Sequence, residues 1–426
     1  MGHANGSDRG ERTAGVQVVE VVGVGASGLE SLDSTGLRLV EEAEVVIGGE
    51  RHLAMLESRP DRRLVPWPSP LLPQLHALFD EVGSVRVVVL ASGDPLVSGI
   101  GSTLVRELGA EAVRIHPAVS SVALAQARMG WATEESEVVT LVGRDVDRLR
   151  RDLAPRARLV VLTSGEDAPA RVAALLVEEG YAVSRLTVLG DLGSQTESRV
   201  DGVAASWAGG PAPRLHLVCV ECQAHPSRSA RSLVPGLEDT AYANDGQLTK
   251  RVVRAAALAH LAPQPGDVMW DLGAGAGSVG VEFARHHPRN EVHAVERNPD
   301  RAERVRRNAR ALGVPSLHVV ESSSLEALAS LPRPDAVFVG GGATRDLLDA
   351  CWSALAPGGR LVVHGVTVET EALLHEVRGR LGGSMSRIAV EDLDPIGSLH
   401  GWKPARSIVQ WSVEKAVQQT DSEMSS

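Results

Sequence analysis

Apolar residues along this chain fall into short runs that end in glycine or turn residues, and the stretches between the runs carry apolar residues at helical spacing. Short runs rich in β-branched residues predict strands, and their alternation with helical stretches predicts an α/β fold. In the first half, the predicted strand regions lie at 16–28, 43–49, 85–92, 113–116, 137–144, 158–165, 185–197 and 215–222.

The second half is organised around residues 268–280, VMWDLGAGAGSVG. This stretch predicts a buried strand with Asp271 at its carboxyl end, a glycine turn and the start of a helix. Such a turn forms a nucleotide-sized pocket, because bare backbone and the N–H groups of a helix N-terminus can approach a ligand closely. Further strands are predicted at 292–296, 334–342 and 355–363.

The sequence of this glycine turn matches the binding motifs of two different cofactors. Residues 275–280 match G-x-G-x-x-G, the dinucleotide fingerprint, and would make the protein a nicotinamide-dependent oxidoreductase. Asp271 with the following glycines instead matches the D-x-G-x-G-x-G loop that holds S-adenosylmethionine. Glu296 suits the ribose of either cofactor. Asp271 and the order of the later strands favour a class I methyltransferase.

Loops in the first half also provide candidate ligand contacts. Gly23 and Gly25 follow the opening strand, and Gly93 and Asp94 turn sharply after the strand at 85–92. The carboxyl edge of a parallel sheet is where ligands bind in open α/β folds. Ser120 and Ser121 open a helix, where a serine either caps the helix or contacts a ligand.

Composition narrows the choice of partner and compartment. The chain has 426 residues and a net charge of −11, which argues against a general nucleic-acid binder. It contains three cysteines, too few for a disulfide framework, and this favours the reducing cytoplasm. The C-x-x-C at Cys219 and Cys222 is interpreted as part of a strand, the alternative being a metal or redox site.

Domain limits follow from shifts in composition. No apolar run is long enough to span a bilayer, so we expect no membrane contact, and the polar first 15 residues lack the hydrophobic core of a signal peptide. A serine- and proline-rich stretch at 225–235 is typical of a linker. We therefore predict a disordered tail at 1–15, a first domain at 16–224, a second domain at 236–413 and a disordered tail at 414–426.

Three residues are candidates for the chemistry of the second domain. Lys250 and Arg251, at the start of the helix that leads into the glycine-turn strand, could orient substrate carboxylates by charge-assisted hydrogen bonds, together with Arg254. The alternative is a solvated helix end. His364, at the carboxyl end of a strand, could donate or accept a proton, the alternative being a packed histidine.

Several motifs resemble known families. VGVGASG near the start, LASGDPLVSGIG (90–101) and PAVSSVALAQARMGW resemble the tetrapyrrole methylase family. DGQLTKR (245–251), WDLGAGAGS (270–278), VERNPDR (295–301), PDAVFVGGG and HGVTVET (364–370) resemble the decarboxylating methyltransferase domain of cobalamin biosynthesis. In this order, the two halves resemble the fused precorrin-6Y C5,15-methyltransferase (decarboxylating) family.

The resemblance implies a tetrapyrrole methylase-like α/β domain followed by a Rossmann-like class I methyltransferase domain. It implies methylation of precorrin-6B at C5 by the first domain, and methylation at C15 with loss of the ring C acetate carboxyl as carbon dioxide by the second, giving precorrin-8. Each domain would bind one S-adenosylmethionine without a metal, and the chain would form a homo-oligomer. A non-catalytic half that serves only as a scaffold is the remaining alternative. The cofactor positions of the second domain fall on Thr249, Asp271, Gly273, Ala274, Gly275, Ala276, Gly277, Glu296 and Ser324.

Overall fold

The computed structural model describes residues 18–83, 85–226 and 231–417, and these residues form two compact units. The first unit contains the described residues up to Arg144 together with Arg156–His225, and the second contains Asp145–Pro155 and the described residues from Pro226 onward. The predicted tail at 1–15 lies outside the described residues, as does the part of the tail at 414–426 after residue 417.

The first unit begins with a sheet of five parallel strands in the order β3-β2-β4-β1-β5. Buried valine and leucine runs form the central strands because both faces of a parallel sheet are covered. The elements are β1 (Val19–Val24), α1 (Ser34–Glu42), β2 (Val45–Gly48), α2 (Glu50–Leu53), β3 (Arg63–Pro66), α3 (Leu75–Val82), β4 (Val87–Ser92), α4 (Ile100–Leu108), β5 (Val113–His116) and α5 (Ser121–Met129).

A second sheet in this unit has the strand order β6-β7-β10-β8-β9. Only β6 and β7 pair in parallel, and the other neighbours are antiparallel. Its elements are β6 (Glu137–Thr140), β7 (Arg158–Leu162), α6 (Ala168–Glu178), β8 (Arg185–Gly190), β9 (Ser198–Val203) and β10 (His216–Glu221).

The second unit is built on a seven-stranded sheet in the order β13-β12-β11-β14-β15-β19-β16. The first five strands in this order are parallel, and β19 runs antiparallel to both of its neighbours. A separate hairpin joins β17 to β18. The elements are α7 (Arg251–Leu261), β11 (Val268–Leu272), α8 (Ser278–His286), β12 (Glu291–Val295), α9 (Pro299–Ala311), β13 (His318–Val320), α10 (Ser324–Ala327), β14 (Ala336–Val339), α11 (Arg345–Ala354), β15 (Arg360–Gly365), α12 (Val368–Leu381), β16 (Ser384–Ile388), β17 (Glu391–Ile396), β18 (Leu399–Pro404) and β19 (Ile408–Glu414).

The predicted α/β fold is confirmed, and each predicted strand region contains a strand. The sequence did not predict β3, β9, β13, β16, β19 and the hairpin. Most of these strands are largely exposed or short and therefore carry no continuous apolar run, whereas β19 is buried although polar residues interrupt its apolar ones. Among the described residues, no helix combines the length and apolar character that crossing a membrane requires.

The C-x-x-C motif belongs to a strand, as interpreted. Cys219 lies within β10, Cys222 directly follows its end, and both side chains are buried. Burial raises the pKa of Cys219 to about 12, because the thiolate would lose its hydration. This thiol is therefore protonated and unreactive at neutral pH.

A buried ion pair fixes the segment that precedes α7, residues 236–250, which we call the arm. Arg254 is fully buried on α7, and its Nε donates to Glu282 Oε1 on α8 at 2.5 Å. Tyr242 Oη of the arm donates to the same oxygen at 2.8 Å. Two arm N–H groups, those of Gly236 and Leu237, also donate to the Glu282 carboxylate. The charge of Glu282 is thus shared among four donors from two segments.

Arg254 ties the other end of the arm to α7. Its guanidinium donates to the carbonyl oxygens of Leu237 and Thr249, and it pairs with Asp239 at 3.2 Å. Because the Arg254 guanidinium is buried and already bonded to Glu282 and the arm, Arg254 does not join Lys250 and Arg251 in binding a ligand.

We predict that Glu282→Gln lowers the free energy of unfolding of the second unit by about 3 kcal/mol, because it removes the buried counter-charge of Arg254 and leaves only the more exposed Asp239. Denaturant unfolding of the full chain, followed by tryptophan fluorescence, measures the change. The matched control is Glu238→Gln, whose carboxylate pairs with Arg251 at the surface and which should change stability by less than about 1 kcal/mol. Equal stability of Glu282→Gln and the native chain would refute a structural role for the pair.

Candidate functional site

The second unit contains a cavity of about 580 Å³ at the carboxyl end of its parallel strands. The loops after β11, β12, β14 and β15 contribute to its wall, as does the arm. Seven of the predicted residues line it, namely Thr249, Gly273, Ala274, Gly275, Glu296, Ser324 and His364. The fold therefore brings together positions that are up to 115 residues apart, counted from Thr249 to His364.

The glycine loop is shaped by close backbone approaches. Gly273 and Gly275 have φ values of +68° and +60°, which favour glycine. A Cβ at Gly273 would lie 2.9 Å from the carbonyl oxygen of Gly341, and one at Gly275 would lie 3.1 Å from that of Gln247. Side chains at either position would strain the loop and press on the cavity wall.

Ala276 and Gly277 support the loop from behind and do not line the cavity. A Cβ at Gly277 would meet Val305 of α9 at 2.7 Å. Ala276 is buried, and its carbonyl oxygen accepts a hydrogen bond from Asn308 Nδ2 at 2.8 Å. Asn308 also exchanges two hydrogen bonds with the backbone of Ala243, so it joins the glycine loop to the arm. No motif in the sequence distinguishes Asn308 from the other polar residues of its arginine-rich helix.

Asp271 lies beneath the loop and is 1% exposed. Its Oδ2 accepts the Gly280 N–H at 2.9 Å, whereas Oδ1 is buried without a hydrogen-bond partner among the described residues. Burial raises the pKa of Asp271 to about 7, the Gly280 hydrogen bond opposes this rise, and the Glu296 carboxylate adds to it. A Cβ at Gly280 would lie 2.7 Å from Asp271 Oδ2, so this contact alone explains the last glycine of the G-x-G-x-x-G match.

Glu296 follows β12 and faces the loop. Its Oε2 accepts the Gly275 N–H at 2.9 Å, and its Oε1 accepts the Asn298 N–H at 3.0 Å. Each carboxylate oxygen has a second lone pair, so the side chain retains capacity to accept hydrogen bonds from a ligand in the cavity.

The candidate cations lie outside the cavity lining. Lys250 Nζ is 3.6 Å from Asp239, and Arg251 pairs with Glu238, with both cationic side chains more than half exposed. They immediately follow Thr249, which does line the cavity. Their proposed contact with substrate stays a prediction.

His364 lies at the carboxyl end of β15 and is buried in the cavity wall. Its Nε2 lies 2.9 Å from Gln410 Oε1 on β19, and its ring meets Phe338 edge-on at a centroid distance of 4.9 Å. Burial lowers the pKa of His364 to about 4, with Gln410 opposing the shift. The imidazole is therefore neutral at pH 7 and available as a hydrogen-bond partner.

The first unit contains a smaller cavity of about 170 Å³. Gly25, Gly93 and Ser121 line it, as the sequence analysis anticipated, whereas Gly23, Asp94 and Ser120 do not. A Cβ at Gly23 would lie 2.0 Å from the carbonyl oxygen of Gly93, so this glycine permits close packing of the loops.

Asp94 and Ser120 hold these loops in place. Asp94 Oδ1 accepts the Leu96 N–H at 2.8 Å and thereby closes its own turn. Ser120 Oγ caps α5 by accepting the Ala123 N–H at 3.1 Å, which is the structural alternative considered for this serine.

Sequence reasoning missed the polar residues on the wall of this cavity. Arg51, Arg214 and Asp191 contribute charge, and Thr163 Oγ1 and His216 Nε2 are buried without hydrogen-bond partners among the described residues. Burial and the neighbouring Arg214 lower the pKa of Arg51, whereas Asp191 raises it. Arg51 and Thr163 each lie just beyond the carboxyl end of a strand, a position that could have drawn attention to them.

Two family models match this chain, one on each half. A model described as tetrapyrrole (corrin/porphyrin) methylases covers residues 18–207, and one described as a precorrin methyltransferase domain covers residues 240–415. A Sinorhizobium protein named precorrin-6Y C(5,15)-methyltransferase [decarboxylating] is 42% identical over 396 residues, which are 93% of this chain and 96% of that protein.

Two shorter relatives each match less than half of the chain. A Salmonella typhimurium protein named cobalt-precorrin-7 C(5)-methyltransferase is 31% identical over 44% of this chain and 92% of its own length. A Salmonella typhi protein named cobalt-precorrin-6B C(15)-methyltransferase (decarboxylating) is 31% identical over 39% of this chain and 89% of its own length.

We predict that Asp271→Asn makes the ligand-free protein more stable than the native chain at pH 8 by a few kcal/mol. A carboxyl whose pKa is raised on folding loses stability as pH rises from the unfolded value near 4 to the folded value near 7, and an amide does not ionise. Unfolding measurements at pH 4 and pH 8 test this, and the difference between the two chains should shrink at pH 4. A variant that is less stable than the native chain at both pH values would contradict it.

Proposed function

The chain belongs to the precorrin-6Y C(5,15)-methyltransferase (decarboxylating) family, and from this membership we propose that it methylates precorrin-6B at C5 and C15 in cobalamin biosynthesis. It is a methyltransferase. In our proposal, the second unit methylates C15 and releases the ring C acetate carboxyl as carbon dioxide, the first unit methylates C5, and the product is precorrin-8. Each unit binds its own S-adenosylmethionine.

One observation carries this proposal for the second unit: the glycine loop and Glu296 line one cavity at the carboxyl edge of the sheet, and Asp271 is buried beneath the loop. A Cβ at Gly273 or Gly275 would press on the carbonyl oxygen of Gly341 or Gln247 in the cavity wall, so only glycine keeps this wall in place. Asp271 Oδ1 is buried without a hydrogen-bond partner among the described residues, and burial, with a contribution from the Glu296 charge, raises the pKa of this carboxyl. A ligand with hydrogen-bond donors and positive charge suits this acidic pair, and S-adenosylmethionine has both.

The bound donor supplies a methyl group that is already activated by its sulfonium, so the protein needs no nucleophilic side chain. The task of the protein is to hold the accepting carbon in line and to exclude water. We assign Glu296 to the ribose hydroxyls, Ser324 to the adenine side and the backbone of Gly273–Gly275 to the amino-acid end. Thr249 covers the cavity from the arm.

Decarboxylation makes a further demand on the chain. The leaving carboxylate must be ionised, and the electron pair of the broken C–C bond moves into the conjugated ring system of the substrate. We propose that Lys250 and Arg251 exchange their surface partners, Asp239 and Glu238, for substrate carboxylates, because exposed ion pairs contribute little stability and are readily replaced. Neutral His364 then acts as a hydrogen-bond partner in the cavity wall.

The first unit offers a different set of groups. Gly25, Gly93 and Ser121 bring backbone and a hydroxyl to its cavity, and Arg51 with Arg214 brings positive charge suited to a substrate carboxylate. The existence of separate relatives named as a C(5)- and a C(15)-methyltransferase supports a division of the two activities between the two units. We propose no metal in either reaction.

We further propose that the protein works as a homo-oligomer in the cytoplasm, which its three buried cysteines suit. The β17–β18 hairpin carries two exposed apolar cross-strand pairs, Leu393 with Trp402 and Ile396 with Leu399. Each of these side chains is more than half exposed. The two pairs are three residues apart along each strand and therefore lie on opposite faces of the hairpin. Exposed apolar side chains of this kind suit an interface between protein chains.

We predict that Gly275→Val abolishes methylation at C15 and the loss of carbon dioxide but leaves methylation at C5. The valine forces a β-branched side chain into a φ of +60° and onto the Gln247 carbonyl oxygen. Mass spectrometry of the products from precorrin-6B distinguishes the outcomes: the native chain should add two methyl groups and remove one carbon dioxide, and the variant should add one methyl group.

The matched control is Gly382→Val, which places the same side chain at a similar φ of +75° in the second unit but outside the cavity lining, and whose Cβ would meet no atom within 4 Å. It should retain both reactions. Loss of both methylations in a folded Gly275→Val chain would contradict the assignment of one reaction to each unit.

We predict that Trp402→Glu reduces the oligomer mass measured by light scattering, since the charge would face an apolar partner surface. Lys403→Glu on the same strand is the control, because Lys403 already lies beside Asp394 at the surface and takes no part in the apolar pairs. An unchanged mass for Trp402→Glu at low protein concentration would exclude the hairpin from assembly.

A further inference from the structure

Three potential metal ligands converge on one face of the second unit's sheet, away from the residues that line its cavity. Glu291 and His293 are two residues apart on β12, so their side chains emerge on the same face. His318 on β13 is the direct neighbour of His293 in the parallel pairing. Strand period and register together therefore place all three side chains side by side.

The distances between these side chains suit a shared ion. Glu291 Oε1 lies 2.7 Å from His293 Nε2 and 3.9 Å from His318 Nε2, and one ligand atom from each residue falls within a 4.8 Å span. Two ligands on a tetrahedral zinc ion are about 3.4 Å apart, given bonds of about 2.1 Å. The three groups reach that arrangement by small side-chain rotations without movement of either strand.

The cluster is partly buried and partly accessible to water. His293 is 8% exposed, whereas Glu291 and the His318 ring are about half exposed. The two imidazole rings stack at a centroid distance of 4.8 Å with an interplanar angle of 12°, which holds both Nε2 atoms beside the carboxylate. Three protein ligands leave a fourth position that water can occupy.

We propose that Glu291, His293 and His318 form a binding site for a divalent cation of the zinc type. Two imidazoles and one carboxylate are a ligand set that zinc accepts readily. The bound ion would join the short edge strand β13 to β12, the strand that leads to Glu296. This site is separate from the proposed methyl transfer and does not depend on it.

The test is a calorimetric titration of ZnCl₂ into the full chain after treatment with a chelator. The native chain should bind one more zinc ion than His318→Ala, or bind it at least about tenfold more tightly, with Glu291→Gln giving the same loss. His400→Ala removes an exposed histidine on the hairpin and is the matched control that should bind as the native chain does.

A second readout addresses coordination directly. Co²⁺ substituted for zinc should give visible absorption of a tetrahedral ion in the native chain and in His400→Ala, but not in His318→Ala. Zinc should also raise the melting temperature of the native chain more than that of His318→Ala. Identical zinc isotherms for the native chain and His318→Ala would overturn the proposal and leave the cluster as a surface ion pair with stacked rings.

Discussion

The buried ion pair between Arg254 and Glu282 is the constraint on which the architecture of the second unit depends. Removing two charges from water is expensive, and such a pair is tolerated only when hydrogen bonds satisfy the remaining donors and acceptors. Here the arm provides them, through Tyr242 and the backbone of residues 236–249. The arm is therefore held where its Thr249 and Gln247 form one wall of the cavity. A further ion pair, from Arg301 to Asp245 at 2.9 Å, fastens the arm to α9.

The glycine loop packs closely against this arm. The Gln247 carbonyl oxygen lies where a side chain at Gly275 would be, and Asn308 bonds both Ala243 and Ala276. The glycines thus serve two purposes, since they allow the arm to approach and leave backbone exposed to the cavity. Beneath them, burial raises the pKa of Asp271, and the Glu296 carboxylate adds to this rise.

The first unit also has a cavity bordered by loop glycines, but different charged residues line it. Its cavity collects groups from a parallel sheet and from a mainly antiparallel one, and its charged lining residues are Arg51, Asp191 and Arg214. Gly23 and Gly93 permit the close approach of neighbouring loops, while Ser120 and Asp94 stabilise the turns. Most residues that define the charge of this cavity lie outside the recognisable motifs. Loop motifs therefore identify the family better than they identify the contacts that distinguish one substrate from another.

The α/β class, most of the buried strands and the glycine loop with Asp271 and Glu296 follow from the sequence alone, because these features depend on local periodicity and on residues that only certain backbone shapes tolerate. The tertiary structure decided which polar residues face a cavity and which support it. Arg254 had the helical spacing of a ligand clamp but is buried against Glu282, and Ser120 turned out to cap its helix. Arg51, Thr163, His216 and Asn308 acquire their places only when distant strands and helices meet. The burial of a side chain and the identity of its hydrogen-bond partners depend on residues far apart in the chain, so no local pattern encodes them.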